Sequence, residues 1–422
     1  MSDLAHRIIP SPLSVSATIT GGVTLAAGSQ KDAFGRLRVS QPVELFATSL
    51  EYGEQPLFYE NVTAGGGTAT YLAAVSGVNL AVTTTGDGVI RQGRQYVPYR
   101  PGKSQLIFIT GNFGGAEANV TKRIGYYDDD TQPQSTGDGA FFQVDGSGVS
   151  VVLRSSTSGS STDTVVAQAN WNVDKLNGTG ASGVTLDLTR EQVMMVTFGW
   201  LGAAMIEWGF VIDGQIITVH TIYPANNLTA PFMGTPSLPV RWEIESTGGA
   251  GSMRATCASV QSEGGFNTLG VLRSCSRDGT ARATSATTLV PLVSVRLLDA
   301  FRRTQLIPEG FSILGIGNSP ADYEAVVLFN ATLGGAVFAP CSEITERDVT
   351  ATTVTGGRVL ATLYAAGGGG ATKGGDAGGA LAADVPITSS YDGTKDTLTL
   401  AVRPLGTSAT NFFGSLSWRE FY

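Results

Sequence analysis

Along most of this chain apolar and polar residues alternate with a period of two, in short runs broken by clusters of Gly, Asn, Asp, Ser and Pro. That period belongs to strands with one buried face, and turn clusters at regular intervals between them belong to sandwiches and barrels rather than helical bundles. Between about residues 46 and 265 the pattern predicts strands over Gly88–Val97, Ser104–Thr110, Thr121–Tyr127, Ala140–Asp145, Val149–Arg154, Val193–Trp200, Ile206–Val211 and Gln215–Tyr223. Asp213-Gly214 between the last two is a two-residue hairpin signal, because a type I′ turn needs positive φ at both positions, and Asp145-Gly146 repeats the device. A single helical turn is expected over Leu188–Met195, where Thr189 and Gln192 have capping-box spacing. The expected fold of residues 46–265 is an antiparallel β-sandwich of jelly-roll, lectin-like form.

Gly264-Gly265 reads as a boundary, and a second β-sandwich is expected over 266–422. Its strands are predicted over Leu289–Leu298, Phe311–Ile316, Glu324–Phe329, Arg358–Tyr364, Thr397–Val402 and Phe413–Phe421. The last of these alternates Leu416, Trp418 and Glu420 against Ser417, Arg419 and Phe421, so it is expected to close a sheet rather than fray. The glycine-rich stretch Ala365–Asp384 has little side chain to bury against its ordering entropy. It is expected to be an exposed, mobile loop, with backbone packed closely on a partner as the alternative. Residues 1–45 are expected to form an extended arm. Pro10 and Pro12 block helix there, and Leu13, Val15, Ala17 and Ile19 alternate with polar neighbours. Such an arm is expected to pack on another subunit or along the next domain.

Composition narrows the function classes. With 42% of 422 residues hydrophobic, the chain can bury the cores of two or three domains. A net charge of −8 with no Lys/Arg cluster argues against direct nucleic-acid binding, which needs concentrated positive charge. The apolar runs are strand-length, far short of the roughly 20 residues of a spanning helix, so no membrane insertion is expected. The N-terminus lacks a basic region followed by an apolar one, so no secretory signal is read and assembly in cytoplasm is expected. Cys257, Cys275 and Cys341, an odd number, argue against a disulfide framework and are expected to be buried free thiols.

The chemical motifs are thin. His6 and His220 are the only histidines, and His220 lies in the strand-like IITVHTIY, where packing explains it better than general-base work. Neither CxxC pairs nor HExxH occur, and no cofactor is expected. Asp128, Asp130 and Asp138 are weak calcium candidates. Counted from Asp128 as an EF-hand loop, Pro133 stands where glycine is required and Gly139 where glutamate is. Gly102-Lys103-Ser104 resembles the end of a phosphate loop but precedes a strand instead of a helix. Glu51, Glu54, Glu60, Glu207, Asp213, Glu243 and Glu245 are too many carboxylates to single out a glycosidase pair. No catalytic residue is assigned, and the chain is expected not to be an enzyme.

From Lys31 the chain reads KDAFGRLRVSQPVELF, followed by PLFYE. This run resembles a family of tailed-bacteriophage virion structural proteins with an N-terminal DAFGRLRVS-x-P-x-x-LF signature. The similarity continues through PGKSQLIFIT, KRIGYYDD, WNVDKLNGTGASGVTLDLT, FGWLGAAMIEWGFVIDG and LPVRWEIE, covering about residues 30–265, with Ala47 where the family often has Asp. Phe34, Leu37 and Val39 would supply apolar contacts, and Arg36 and Arg38 bidentate donors, for an attachment surface or an edge strand. Phe34, Arg36, Leu37 and Arg38 are therefore the interaction candidates. The resemblance implies a structural component on the exterior of a virion, of the tail-fibre, baseplate or collar kind, attached through its N-terminal part. Its partners would be other virion proteins, with a homo-oligomer, a trimer favoured, and a host surface glycan as a further possible partner. Capsid decoration is the alternative, and a glycan-binding or glycan-cleaving receptor module the third reading.

Overall fold

The computed structural model describes residues 32–34, 41–201, 204–264, 270–284, 287–317, 321–367, 379–381 and 386–421. These form two β-sandwiches, each of two antiparallel sheets over its own core. No helix among the described residues is long and apolar enough to cross a membrane.

The first sandwich is built from β1 (Val43–Thr48), β2 (Tyr59–Ala64), β3 (Thr68–Leu72), β4 (Gly77–Val82), β5 (Gly88–Gly93), β6 (Gln105–Asn112), β7 (Val120–Tyr127), β8 (Gly139–Asp145), β9 (Gly148–Ser155), β10 (Thr162–Ala167), β11 (Gln192–Phe198), β12 (Ile206–Ile212), β13 (Gln215–Ile222), β14 (Val240–Ser246) and β15 (Gly251–Ser262). One sheet runs β13-β12-β11-β6-β15-β4-β3, with β1 also paired to β15; the other runs β10-β9-β8-β7-β14-β5-β2. The alternation in β7 and β14 explains the packing. Ile124, Tyr126, Trp242 and Ile244 point into the core with Ile107, Ile109, Val196 and Phe210, leaving alternate residues on the outer face. The β12–β13 hairpin turns at Asp213 and Gly214 with φ of 51° and 75°, as its sequence requires.

The second sandwich comprises β16 (Val271–Ser276), β17 (Arg282–Thr284), β18 (Val290–Leu297), β19 (Gln305–Ile316), β20 (Tyr323–Phe329), β21 (Thr332–Gly334), β22 (Ala339–Pro340), β23 (Thr345–Asp348), β24 (Thr353–Thr355), β25 (Arg358–Ala365), β26 (Gly379–Ala380), β27 (Leu398–Pro404) and β28 (Thr410–Phe421). One sheet is ordered β16-β28-β19-β26, with β17 on β28; the facing sheet is β22-β23-β18-β27-β20-β25; β21 and β24 make a separate ribbon. β28 pairs on both sides, and its Leu416, Trp418 and Glu420 are buried, so the aromatic terminus is a central strand.

Several expectations are corrected. Leu188–Met195 contains no helix: Asp187 accepts hydrogen bonds from Thr189 N–H and Oγ1, and Gln192 Nε2 donates to the Asp187 carbonyl, closing a local turn from which β11 starts. The competing Asx turn and the β-rich VMMVTF that follows, paired on both sides, override the capping box. Residues 43–45 of the expected arm belong to β1. The Asp145 hairpin has Gly146 and Ser147 as its loop, with Asp145 Oδ1 accepting from Ser147 N–H. Gly379–Ala380 of the glycine-rich stretch pairs with β19, and Leu381 beside it is buried; 368–378 and 382–385 lie outside the described residues. Cys275 is buried as expected, but Cys341 is half-buried and Cys257 is exposed.

Candidate functional site

The outer face of the β8-β7-β14-β5 region carries a network of paired charges, and the alternation of VRWEIES explains why. With Trp242 and Ile244 committed to the core, Arg241, Glu243 and Glu245 must share the opposite face. Glu243 stands directly across from Arg123 on β7 and pairs with it; Arg123 also reaches Glu245 at 2.8 Å. Arg241 pairs with Glu243 at 2.6 Å and with Asp129, and its guanidinium lies over the rings of Tyr127 and Tyr391. Tyr127 packs on Phe141 with centroids 4.3 Å apart, and Arg154 covers both rings while pairing with Asp163. Gly125, opposite Phe141, leaves room for that ring: a Cβ there would meet Phe141 Cα at 2.5 Å. Arg123, Arg154, Arg241, Asp129, Glu243 and Tyr391 line a groove of about 470 Å³.

Electrostatics decides what these carboxylates can do. Burial alone pushes Glu243 up, but Arg241 and Arg123 outweigh it and hold the carboxyl below its ordinary value. Asp129 is likewise pushed up by burial and pulled down by Arg241 and Thr131, to about 2. Both stay ionised near neutral pH. A glycosidase acid must hold a proton there, and Glu243 does not. Of the other carboxylates singled out, Glu51, Glu54 and Asp213 are exposed, Glu60 is half-buried on β2 and Glu207 is buried in β12.

The calcium candidates are not gathered into a site. Asp130 is exposed. Asp138 is saturated by five donors: Ser156 N–H and Gly234 N–H on Oδ1, and Ser156 Oγ, Thr136 Oγ1 and Thr235 N–H on Oδ2. Asp128 Oδ1 accepts from Asp138 N–H. No group of three or more His, Cys, Asp or Glu among the described residues is placed to hold a metal. These aspartates tie loops together instead. His220 is buried against Trp208 and its Nδ1 accepts from Asn172 N–H, while burial lowers its pKa. Ser104 of the phosphate-loop lookalike is buried and bonds Thr197 Oγ1 at 3.0 Å.

Of the interaction candidates, Phe34 is described; Arg36, Leu37 and Arg38 lie outside the described residues. Ala33 is buried, its N–H donating to Ser104 Oγ and its carbonyl accepting from Met205 N–H, and the Phe34 ring lies over Gly199. The start of the signature therefore seats on the chain's own first sandwich.

A second cavity, of about 370 Å³, lies where the sandwiches meet. Tyr96, Tyr99, Arg100 and Asp128 line it from the first, Phe301, Arg303, Gln305 and Phe421 from the second. Arg303 fastens its wall: it covers the Tyr96 ring at 5.1 Å and donates to the carbonyls of Pro133, Ser390 and Tyr391. Burial raises Asp128 to about 6, with the Asp138 charge adding to it against the Asp138 N–H. Sequence reasoning missed this cavity because its walls come from loops far apart in the chain. The charged groove had a signal, the R-x-E-x-E alternation of VRWEIES beside KRIGYYDD.

No protein-family model matches the chain, and no curated protein matches it in sequence. Among solved structures it overlaps a legume lectin-like domain from Entamoeba histolytica, at 11% identity over 52% of this chain and 98% of that one, with a TM-score of 0.30. A pseudo beta-1,3-glucanase of Mycobacterium tuberculosis overlaps at 10% identity over 51% and 98%, with a TM-score of 0.35. The CBM2 module of the Lactobacillus casei BL23 phage J-1 evolved Dit overlaps at 9% identity over 54% and 100%, with a TM-score of 0.31.

Proposed function

We propose that this chain is a non-catalytic structural component of the exterior of a tailed-phage particle, of the tail-fibre, baseplate or collar kind, attached through its N-terminal part as a homo-oligomer. The observation that carries this reading is the run from Lys31 to Phe46 and its continuation through the first sandwich. Glu243 and Asp129, held as arginine-paired anions, supply no general acid on the charged face, which fits a role by contact there. Sheets whose outer-face charges are paired with one another suit a protein that works by contact. Immunogold labelling and copy counting on purified particles test it: a few copies at the tail support the appendage, hundreds over the shell point to capsid decoration, and absence from particles overturns the reading. Light scattering of the full chain tests the trimer.

A second reading, a glycan-binding module, is favoured by the cavity between the sandwiches. Aromatic side chains beside two arginines and a carboxyl give its walls both the apolar surface and the hydrogen-bonding groups that a polyhydroxylated ligand uses. Calorimetric titration with host envelope oligosaccharides tests it, with Arg100→Ala and Phe301→Ala expected to weaken binding. Release of reducing ends would instead identify a cleaving enzyme.

A further inference from the structure

We propose that Cys275 and Cys341 form an oxidisable dithiol site, in which reaction with a small-molecule disulfide converts the pair into an internal disulfide that staples the two sheets of the second sandwich together.

The two residues are brought together from open edges of different sheets. Cys275 lies on β16, the edge strand beside β28, and Cys341 follows β22 at the far edge of the facing sheet. Two arginines clamp these edges on either side of the thiols. Arg273, two residues before Cys275, pairs with Glu343, two residues after Cys341. Arg347 donates to the Ser276 carbonyl at 2.8 Å and pairs with Asp278. Between the clamps the two thiols face the same cavity, and Cys341 Sγ lies 3.5 Å from Thr345 Oγ1. They line one open cavity of about 330 Å³ with Ser276, Arg347 and Ser415, large enough to admit a small thiol compound.

The arrangement gives the two sulfurs different roles. The neighbouring Cys275 thiol lowers the Cys341 pKa against burial, helped by Thr345 and Arg347, whereas the Cys341 sulfur and burial raise that of Cys275. Cys341 is thus the attacking thiolate and Cys275 the resolving thiol. With oxidised glutathione, the Cys341 thiolate attacks one sulfur, the glutathione S–S bond breaks, and one glutathione thiolate leaves and takes up a proton. Cys275 then gives up its proton and attacks the Cys341 sulfur, expelling the second glutathione. Two protein thiols are oxidised to one disulfide and one small disulfide is reduced to two thiols, so electrons and protons balance. The inference goes beyond the particle reading and stands without it.

The test uses the full chain, reduced and then incubated with oxidised glutathione, followed by alkylation under denaturing conditions and peptide mass analysis. Exposed Cys257 is the internal control. The expected result is a peptide pair joined through Cys275 and Cys341 with Cys257 alkylated or glutathionylated, and a higher thermal midpoint for the oxidised form. In Cys275→Ser the glutathione adduct at Cys341 should persist, and in Cys341→Ser, Cys275 should stay unmodified. A fully oxidised wild-type sample in which Cys275 and Cys341 are both alkylated, or carry separate glutathiones, overturns the proposal whatever the variants do. So does a cross-link from either residue to Cys257.

Discussion

The guanidinium of Arg241 lies 5.7 Å from the ring centroid of Tyr391, so a buried cation of the first sandwich is capped by an aromatic ring from the second. Beneath the ring Arg241 is held by Asp129 and Glu243, with 1% of its own surface exposed. A cation so enclosed is worth little against an apolar substitute but much against a vacancy, because its removal leaves Asp129 without its partner and Glu243 with Arg123 alone.

Arg241→Ala should therefore cost about 3–5 kcal/mol in denaturant unfolding, the range for breaking a buried pair from one side. The double variant Arg241→Met/Asp129→Asn, which refills the volume and leaves Glu243 paired with Arg123, should recover much of that loss. A single-variant cost below about 1 kcal/mol would mean that water replaces the guanidinium and the network is effectively surface chemistry.

Acid should unfasten the same network. Asp129 ionises near 2 in the fold and at an ordinary 3.8 in the unfolded chain. Its folded pKa is depressed, so the stability it contributes, about 2 kcal/mol, is fully present above pH 4 and is lost as pH falls through 2. Glu243 shifts in the same direction and steepens the loss. Stability followed by urea unfolding across this window should fall, and the fall should be shallower in Asp129→Asn.

Asp128 carries the opposite sign. Its carboxyl is raised to about 6, so between about pH 4 and 6 the folded protein keeps a proton that the unfolded chain has released. Stability from this group declines as pH rises through that window, by up to about 3 kcal/mol. Asp128→Asn keeps an oxygen for the Asp138 N–H. It should be more stable than the parent at pH 8 and no more stable at pH 4. A gain independent of pH would show that ionisation is not the cause.

These positions also mark where sequence reading works and where it stops. The start of Val120–Tyr127 and of Gly148–Ser155 was legible because alternate residues are buried there, which imposes the period of two, whereas Ile206–Ile212 and Gln215–Ile222 were legible as apolar, β-branched and aromatic runs on either side of an Asp-Gly turn. Tyr59–Ala64 and Thr68–Leu72 were not, since they are polar outer strands with little burial to enforce a pattern. Leu188–Met195 misled because capping-box spacing and an Asx turn draw on the same residue types. Asp128 and Asp138 looked like cation ligands because acidic residues close in sequence carry no sign of whether they accept backbone N–H groups or a metal. Cys275 and Cys341 line one cavity from two different sheets, and nothing local in either segment announces it.

Gly125 tests the packing of the outer face. The position sits across from Phe141, whose Cα would be 2.5 Å from a new Cβ, with the Ala140 carbonyl at 2.7 Å. Backbone cannot yield as a flexible side chain can, so Gly125→Ala should push β7 and β8 apart at their centre. The expected cost is about 1–3 kcal/mol, as for other overpacked sites, together with loss of the Tyr127–Phe141 contact visible in near-ultraviolet circular dichroism. A variant as stable as the parent would mean the two strands can slide apart without penalty.

Two arginine clips join the sandwiches beside the contacts of Tyr391 with Asp129, Thr131 and Arg241. Arg94 pairs at 2.7 Å with Asp396, which is buried and also accepts from Asn330 Nδ2 and from Thr388. Arg303 holds the Pro133 carbonyl from one side and the Ser390 and Tyr391 carbonyls from the other. Each core is otherwise complete on its own, with partly buried Leu57 of the first region reaching the second. Calorimetry on the parent should give one transition, because each sandwich loses these bonds when its neighbour melts. Arg94→Ala/Arg303→Ala should split it into two, with Asp396 left as a buried anion and the second sandwich melting first. A single transition persisting at lower temperature would show that the aromatic contact of Arg241 with Tyr391, not the arginine clips, couples the two halves.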